Sequence, residues 1–267
     1  MGRTVIADGS PHVCVRARVS ALAPSRSVHN GRMGTYDAWL EQASIDDAVR
    51  DLRPDYRAVL VVAEGLSGGE SNEASETLLF AAEEHVRPLL EHTKVEELPH
   101  IAAWREAFRA FGAKPQRTRN SAEALMRRAD ALPRINALTD AYNAVSVRFQ
   151  TPLGGENLAA YDGPLRLVRA TGDEEFGTLA SGAETVEHPE PGEVVWRDGA
   201  GVTCRRWNWR QCYRTRLTEE TTDAVFICDV LDVEPGDGEQ RAQDVLGALT
   251  EALEAVSPGV KLTSRIL

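Results

Sequence analysis

The chain has 267 residues, of which 42% are hydrophobic and 27% charged, a composition typical of globular proteins and not of disordered or fibrous ones. No apolar run approaches the roughly 18–20 residues that a membrane-spanning helix needs, so we expect no membrane partner. The formal net charge of −11 argues against a protein that coats nucleic acid through bulk charge, and we expect no DNA partner.

Cysteine and histidine are sparse. The chain contains four cysteines, Cys14, Cys204, Cys212 and Cys228. They are never spaced as Cys-x-x-Cys, so we expect no metal, no cofactor and no disulfide framework, and a reducing cytoplasm as the compartment. His85, His92 and His100 lie in or near acidic helical sequence and are expected at the surface.

Residues 1–32 differ from the rest in being rich in Arg and Ser and poor in acids. Arg16 and Arg18 interrupt the apolar stretch 13–23, which argues against a signal peptide, whereas a transit peptide is compatible with the composition. We favour a disordered tail or an over-long start, with a single domain over residues 33–267.

Helical patterns dominate the first part of this domain. After a helix start at Ser44 and a buried strand at residues 58–63, helices are predicted at residues 71–91, 101–111, 121–129 and 135–149. Pro88 is expected to kink or end the first of these four helices.

Beyond Pro152 the pattern changes to short strands, predicted at residues 165–168, 194–196, 202–204 and 224–230. The acidic stretch 173–193 is interpreted as a solvated loop, and residues 240–256 as a closing helix. Helices followed by strands predict an α+β, layered mixed-sheet fold with helices packed on the sheets.

Positive charge is concentrated in two stretches. Residues 105–134 contain eight basic and three acidic side chains, a local charge of +5, and residues 204–216 contain five arginines and no acid. The candidate RNA-contacting residues from these stretches are Arg117, Arg119, Arg127, Arg128, Arg205 and Arg210. A local RNA-binding surface is therefore compatible with the negative net charge of the chain.

Asn136, Asp140 and Asn143 recur at spacings of four and three on one predicted helix. Three polar side chains interleaved with an apolar face favour partial burial with hydrogen bonds to neighbouring loops, although solvent exposure stays possible. Gly154 and Gly155 follow, where the backbone can turn tightly or approach a ligand.

Residues 204–210 read Cys-Arg-Arg-Trp-Asn-Trp-Arg. If they form a strand, alternation places Arg206, Asn208 and Arg210 on one face and Trp207 and Trp209 on the other. Such a surface suits stacking on bases and contact with phosphates, and a Trp-rich core strand with an arginine-covered outer face is equally compatible. Cys204 is interpreted as a buried strand cysteine.

These motifs together resemble the B3/B4 domain of the phenylalanyl-tRNA synthetase beta subunit, and more closely its free-standing relatives. The residues that carry the resemblance are Trp104-Arg105, residues 112–115, residues 133–136, Asp140, Asn143, residues 151–155, Tyr161-Asp162 and residues 204–210. The resemblance covers residues 104–231. It implies two interleaved subdomains with a pocket between them and, in the synthetase, hydrolysis of wrongly attached tyrosine from the tRNA 3′ end.

The sequence departs from that family's editing residues. Where the resemblance implies a histidine before the aromatic-Asp pair, residues 158–160 read Leu-Ala-Ala, and the family's late-strand glutamate falls near Ile227. Any hydrolysis must therefore use other groups or rely on the substrate's own ribose hydroxyl and a positioned water.

Three functions stay open: a trans-acting deacylase of mischarged aminoacyl-tRNA, a non-catalytic tRNA-binding module, and a binder of a free amino acid or metabolite. For the first, Glu156 and Asn208 are the candidate catalytic residues at the 3′ end of an aminoacyl-tRNA. The candidate substrate-binding residues are Asn136, Asn143, Gly154, Gly155, Asn157, Cys204 and Arg206.

Overall fold

A computed structural model describes residues 35–180 and 182–267. The predictions for residues 1–32 lie outside the described residues. The segment Gly34–Leu267 forms one compact unit. Its helices are α1 (Asp37–Glu41), α2 (Asp47–Arg50), α3 (Glu73–His92), α4 (Pro99–Ala110), α5 (Ser121–Met126), α6 (Ala137–Phe149) and α7 (Gly238–Val256).

The strands form two larger sheets and a hairpin. They are β1 (Ser44–Ile45), β2 (Arg57–Glu64), β3 (Leu153–Asn157), β4 (Arg166–Arg169), β5 (Phe176–Ala180), β6 (Ala183–Glu187), β7 (Val194–Arg197), β8 (Val202–Arg205), β9 (Arg210–Gln211), β10 (Asp223–Val230) and β11 (Lys261–Ile266). One sheet has the order β11-β2-β10-β3 and is antiparallel throughout. The other has the order β1-β4-β7-β8-β9, with β1 and β4 parallel, and β5 pairs with β6.

The α+β, layered architecture predicted from the sequence is confirmed. Alternate residues of β2 and β10 point to opposite faces of their sheet. On one face Val61 and Phe226 pack with α6 and α7, and on the other Leu60 and Val225 pack with the five-stranded sheet and with α4. After β2 and β3 of the four-stranded sheet, the chain adds β4, β7, β8 and β9 to the five-stranded sheet and then returns with β10. The two sheets are therefore interleaved along the chain.

Pro88 does not end α3, which continues to His92. An interior proline removes one backbone hydrogen bond. The turn that follows is held by apolar contacts, because Leu89 and Leu90 pack against the cluster around Leu79 and Val86. Tertiary packing therefore overrides the local helix-breaking signal.

Two further sequence predictions were wrong. The stretch interpreted as a solvated loop contains the β5–β6 hairpin, whose Phe176 is fully buried. Ser44 lies in β1 and does not begin a helix; α2 begins after Asp46 instead.

His100, expected at the surface, is buried between α4 and the end of β10. Its Nε2 accepts a hydrogen bond from the Leu231 amide at 3.0 Å, and its Nδ1 lies 3.0 Å from the Gln150 carbonyl oxygen. Burial lowers the pKa of this imidazole to about 4, so it is a neutral structural element at physiological pH.

Within the two described ranges, no helix combines the length and the apolar character that crossing a membrane requires.

Candidate functional site

A pocket opens between the two sheets and helices α5 and α6, with a cavity volume of about 300 Å³. This is the lower end of the range usual for small-molecule sites. We call the lining residues of β3, β7, β8 and β10, together with the buried Trp207 and Asn208, the floor, and the lining residues of α5 and residues 209–210 the rim. The lining residues include Arg128, Asn143, Gly154, Glu156, Trp196, Cys204, Trp207, Asn208, Trp209, Arg210, Ile227 and Asp229.

Glu156 lies on this floor with none of its side chain exposed. The Tyr161 hydroxyl donates to its Oε2 at 2.5 Å, and the hydroxyl groups of Thr215 and Thr203 lie close to the same carboxyl group. Burial raises the pKa of Glu156 to about 7, and hydrogen bonds from Tyr161, Thr215 and Thr203 act in the opposite direction. The carboxyl group is therefore able to exchange a proton near neutral pH.

A second carboxyl group, Asp229, lies at the other end of the floor. The Tyr56 hydroxyl donates to its Oδ1 at 2.5 Å and the Asn208 side-chain amide to its Oδ2 at 3.1 Å. Burial raises the pKa of Asp229 to about 7, against the effect of hydrogen bonds from Tyr56, Asn208 and Trp196. Asn208 is itself 6% exposed, and its Oδ1 has no hydrogen-bond partner among the described residues.

Residues 204–210 do not form one continuous strand. β8 ends at Arg205, Arg206 and Trp207 have φ angles of 48° and 67°, and β9 begins at Arg210. Both residues therefore adopt the left-handed region that non-glycine residues seldom occupy. The predicted alternation of faces is wrong, because this turn buries Trp207 and Asn208 together.

Aromatic packing holds this turn in place. Trp207 is fully buried and makes edge-on contacts with Tyr56 and Trp104, with ring centroids 4.9 and 5.2 Å apart. Aromatic pairs in this arrangement stabilise beyond the area they bury. The Asn208 carbonyl also accepts a hydrogen bond from the Ser121 amide at 2.9 Å, which ties the turn to the start of α5.

The arginines of the β8–β9 region are mostly neutralised by acids from the β5–β6 hairpin and the loop after it. Arg205 is buried and contacts Glu193 through Nε at 2.9 Å and Nη2 at 2.8 Å, and Glu187 through Nη1 at 2.8 Å. Arg210 contacts Glu187 at 2.5 Å. The structure thus gives Arg205, predicted to contact tRNA, an internal ion pair instead of an exposed position.

The other arginines predicted to contact tRNA differ in whether an ion pair already occupies them. Arg127 is paired with Glu123 and Glu96, and Arg119 lies 3.5 Å from Glu123. Arg117 and Arg128 are exposed, and Arg128 lines the pocket rim. Neither has an ion pair within the described residues.

Of the predicted substrate-binding residues, Asn143, Gly154 and Cys204 line the pocket, as do both catalytic candidates. At Gly154 a Cβ would lie 2.6 Å from Gln211 Nε2, so the floor fits only glycine there without movement. Burial raises the pKa of Cys204 well above its usual value, so this thiol is neutral.

The other four predicted substrate-binding residues do not line the pocket. Asn136 caps α6 by accepting from the Thr139 amide, and Asn157 accepts from the Ala159 amide at the 3₁₀ helix Leu158–Ala160. Gly155 packs against Leu217 and Phe226 on the opposite face of β3. Arg206 stacks on Trp209, with its Cζ 4.5 Å from the ring centroid.

Sequence reasoning missed Asp229. An acidic residue inside the apolar run Ala-Val-Phe-Ile-Cys-Asp-Val of β10 is the signal that could have found it, since charged residues are rarely buried without a specific partner. Ile227, at the position where the resemblance implies a glutamate, also lies on the floor. Within the described residues, no group of three or more His, Cys, Asp or Glu side chains could hold a metal ion.

The chain is similar to one described protein family and to solved structures. The family model described as the B3/4 domain matches residues 103–244, slightly more than half of the chain. A solved N-terminal fragment of the phenylalanyl-tRNA synthetase beta-subunit from Pyrococcus horikoshii is similar, with 13% identity and a TM-score of 0.43. The match covers 84% of this chain and 53% of that fragment. No curated protein sequence matches this chain significantly.

Proposed function

The chain belongs to the B3/4 domain family, and from this premise we propose that it hydrolyses the ester bond of mischarged aminoacyl-tRNA. The aminoacyl group would enter the pocket between the two sheets, with the 3′ end of the tRNA at its rim. The observation that carries the proposal is Glu156, a buried carboxyl group that lines the pocket floor without a cationic partner among the described residues and whose pKa burial raises to about 7.

Glu156 has the properties of a general base. A base works best when its pKa is close to the working pH, because it then exists partly deprotonated and still accepts a proton readily. The Tyr161 hydroxyl fixes the carboxyl group through Oε2, which leaves Oε1 as the oxygen that would take the proton.

The reaction follows from this placement. Glu156 takes a proton from water as the water oxygen bonds to the ester carbonyl carbon. The bond between that carbon and the ribose oxygen then breaks, and the proton passes from Glu156 to the departing ribose oxygen. The products are the free amino acid and the uncharged tRNA.

The rim suits the phosphate-bearing end of the substrate. Arg128 is exposed and free of ion pairs within the described residues, and the guanidinium groups of Arg206 and Arg210 lie over the ring of Trp209. Guanidinium groups contact phosphates.

The test is ester loss from a panel of mischarged aminoacyl-tRNAs with purified wild-type protein and Glu156→Gln. The glutamine keeps an oxygen to accept from Tyr161 but cannot take a proton, so the rate should fall at least about 100-fold. Glu97→Gln, a substitution of the same kind at an exposed ion pair, serves as the control and should keep the wild-type rate.

Two outcomes would contradict the proposal. If no member of the panel is hydrolysed by excess protein while tRNA still binds, the non-catalytic binding module is the correct function. If Glu156→Gln hydrolyses as fast as the wild type, the pocket carboxyl group is not the base.

A further inference from the structure

Buried acids in this protein are almost always compensated. Among the described residues, eight acidic side chains are buried: Glu83, Glu123, Asp140, Glu156, Glu174, Glu193, Asp198 and Asp229. Five of them contact an arginine within 4 Å, namely Glu83, Glu123, Glu174, Glu193 and Asp198. An uncompensated buried charge is costly, so this pairing is the expected arrangement.

Asp140 is compensated differently. It lies in the first turn of α6, where the helix dipole favours negative charge. Its Oδ1 accepts from the Ile135 amide at 2.8 Å, and its Oδ2 from the Ser71 hydroxyl at 2.5 Å. The two remaining buried acids, Glu156 and Asp229, have no cationic partner within the described residues, and both face the pocket.

The Asp229 end of the pocket presents hydrogen-bond acceptors. Asp229 accepts hydrogen bonds from the Tyr56 hydroxyl and the Asn208 amide, and the Trp196 indole N–H acts on the same carboxyl group; a carboxylate has about four acceptor positions, so at least one stays open. Asn208 is 94% buried, and its Oδ1 accepts no hydrogen bond among the described residues. An ammonium group has three donors and no acceptor, so it matches three acceptor oxygens without leaving one unpaired.

The surroundings favour a cation over a neutral donor. The fully buried side chains of Trp196 and Trp207 line the same pocket, and such apolar surroundings strengthen the attraction between a carboxylate and a cation. The pocket-lining arginines, Arg128 and Arg210, belong to the rim and not to the floor. A cation at Asp229 would supply the charge partner that the other buried acids have within the chain.

The two acids are far enough apart to serve different parts of one substrate. Glu156 pairs with Val225 in the β3–β10 register, and Asp229 lies four residues further along β10. Four residues of strand span about 13 Å. Gly154 and Ile227 form the floor between them, so a ligand with its ester near Glu156 needs a long side chain to reach Asp229.

We propose that the aminoacyl group accepted by this pocket carries a basic side chain, and that Asp229 together with Asn208 forms the subsite for its ammonium group. This inference rests on the proposed function, because it assigns the substrate class of the same pocket. Asp229 is then the residue that determines specificity.

The inference is tested by equilibrium binding of two small amides that differ only at the end of the side chain. Lysinamide and norleucinamide share the α-ammonium group and the four-carbon chain, and only the first has a terminal ammonium group. Binding is followed at about pH 8 by intrinsic fluorescence, since Trp196, Trp207 and Trp209 line the pocket.

We expect lysinamide to bind at least about tenfold more tightly than norleucinamide, and Asp229→Asn to remove most of this difference. Equal affinity, tighter binding of norleucinamide, or no binding of either amide at millimolar concentration would overturn the inference. The wild-type comparison alone decides it, whether or not the variant folds.

The binding assay is independent of hydrolysis. A preference for lysinamide without hydrolysis of any aminoacyl-tRNA would overturn the proposed function and support the basic subsite. Hydrolysis of the tRNA panel without this preference would support the proposed function and overturn the subsite.

Discussion

The protonation state of Glu156 controls the proposed chemistry. Burial raises its pKa to about 7 from an ordinary value of 4.5, so near neutral pH about half of the molecules carry the proton. Only the ionised form can accept a proton from water. The rate should therefore depend on pH in a range where ordinary carboxyl groups are already fully ionised.

We predict that the rate of enzymatic ester loss rises with pH through about 7 and then reaches a plateau. The direction follows from the role of the base, because the ionised fraction of Glu156 increases as the pH rises through its pKa. The measurement is the pH–rate profile of the wild type between about pH 5.5 and 8.5, with the spontaneous hydrolysis of the ester subtracted. A flat profile, or a rate that falls with pH over this range, would contradict the assignment.

The pocket residues show what a sequence reveals at the level of single residues. Glu156, Asn208, Asn143, Gly154 and Cys204 were predicted and do line one pocket, because they belong to the motifs that define the family resemblance. Asp229 was missed because its role comes from a partner, Tyr56, that is 173 residues away in the chain. No local pattern contains that hydrogen bond.

At the scale of elements, the β8–β9 turn departs most from its sequence prediction. Alternation would have required Arg206, Asn208 and Arg210 to share a face, but the positive φ angles of Arg206 and Trp207 reverse the chain. Local propensity disfavours this conformation for both residues. Contacts with Trp104 and Tyr56 from distant elements hold it, so the turn was not predictable from residues 204–210 alone.

The β5–β6 hairpin also differs from its sequence prediction. Its acids suggested a solvated loop, yet Glu187 and Glu193 are the partners of Arg205 and Arg210. Sequence composition identified two segments of opposite charge, one acidic and one basic. It could not show that the segments fold against each other and neutralise one another.

We predict that Glu193→Gln lowers the free energy of unfolding by about 3 kcal/mol, since it leaves the buried Arg205 without its bidentate partner. Glu97→Gln removes an exposed ion pair with Lys94 and should cost less than about 1 kcal/mol. The measurement is urea-induced unfolding of the two variants and the wild type at neutral pH. Equal losses in the two variants would show that the buried pair does not stabilise the turn.

At the scale of the whole molecule, charge is segregated. The net charge is −11, but the segment that includes α4 and α5 is basic, and many arginines of the two basic stretches are paired internally. The positive charge available to a polyanion is therefore smaller than the sequence suggests. Arg128 stands out, because it lies at the pocket rim and has no ion pair within the described residues.

We predict that Arg128→Ala weakens tRNA binding and makes it less dependent on salt. Each phosphate contact releases counterions, so loss of one contact should reduce the slope of log affinity against log salt by about 0.7–0.9. Arg87→Ala is the matched control: Arg87 is exposed on α3, where its partner is Glu84, and its removal changes the net charge by the same amount. The measurement is the affinity for tRNA of both variants and the wild type over a series of salt concentrations.

If the two variants lose affinity equally, the net charge of the molecule governs binding and the rim has no particular role. If neither loses affinity, the tRNA does not contact Arg128.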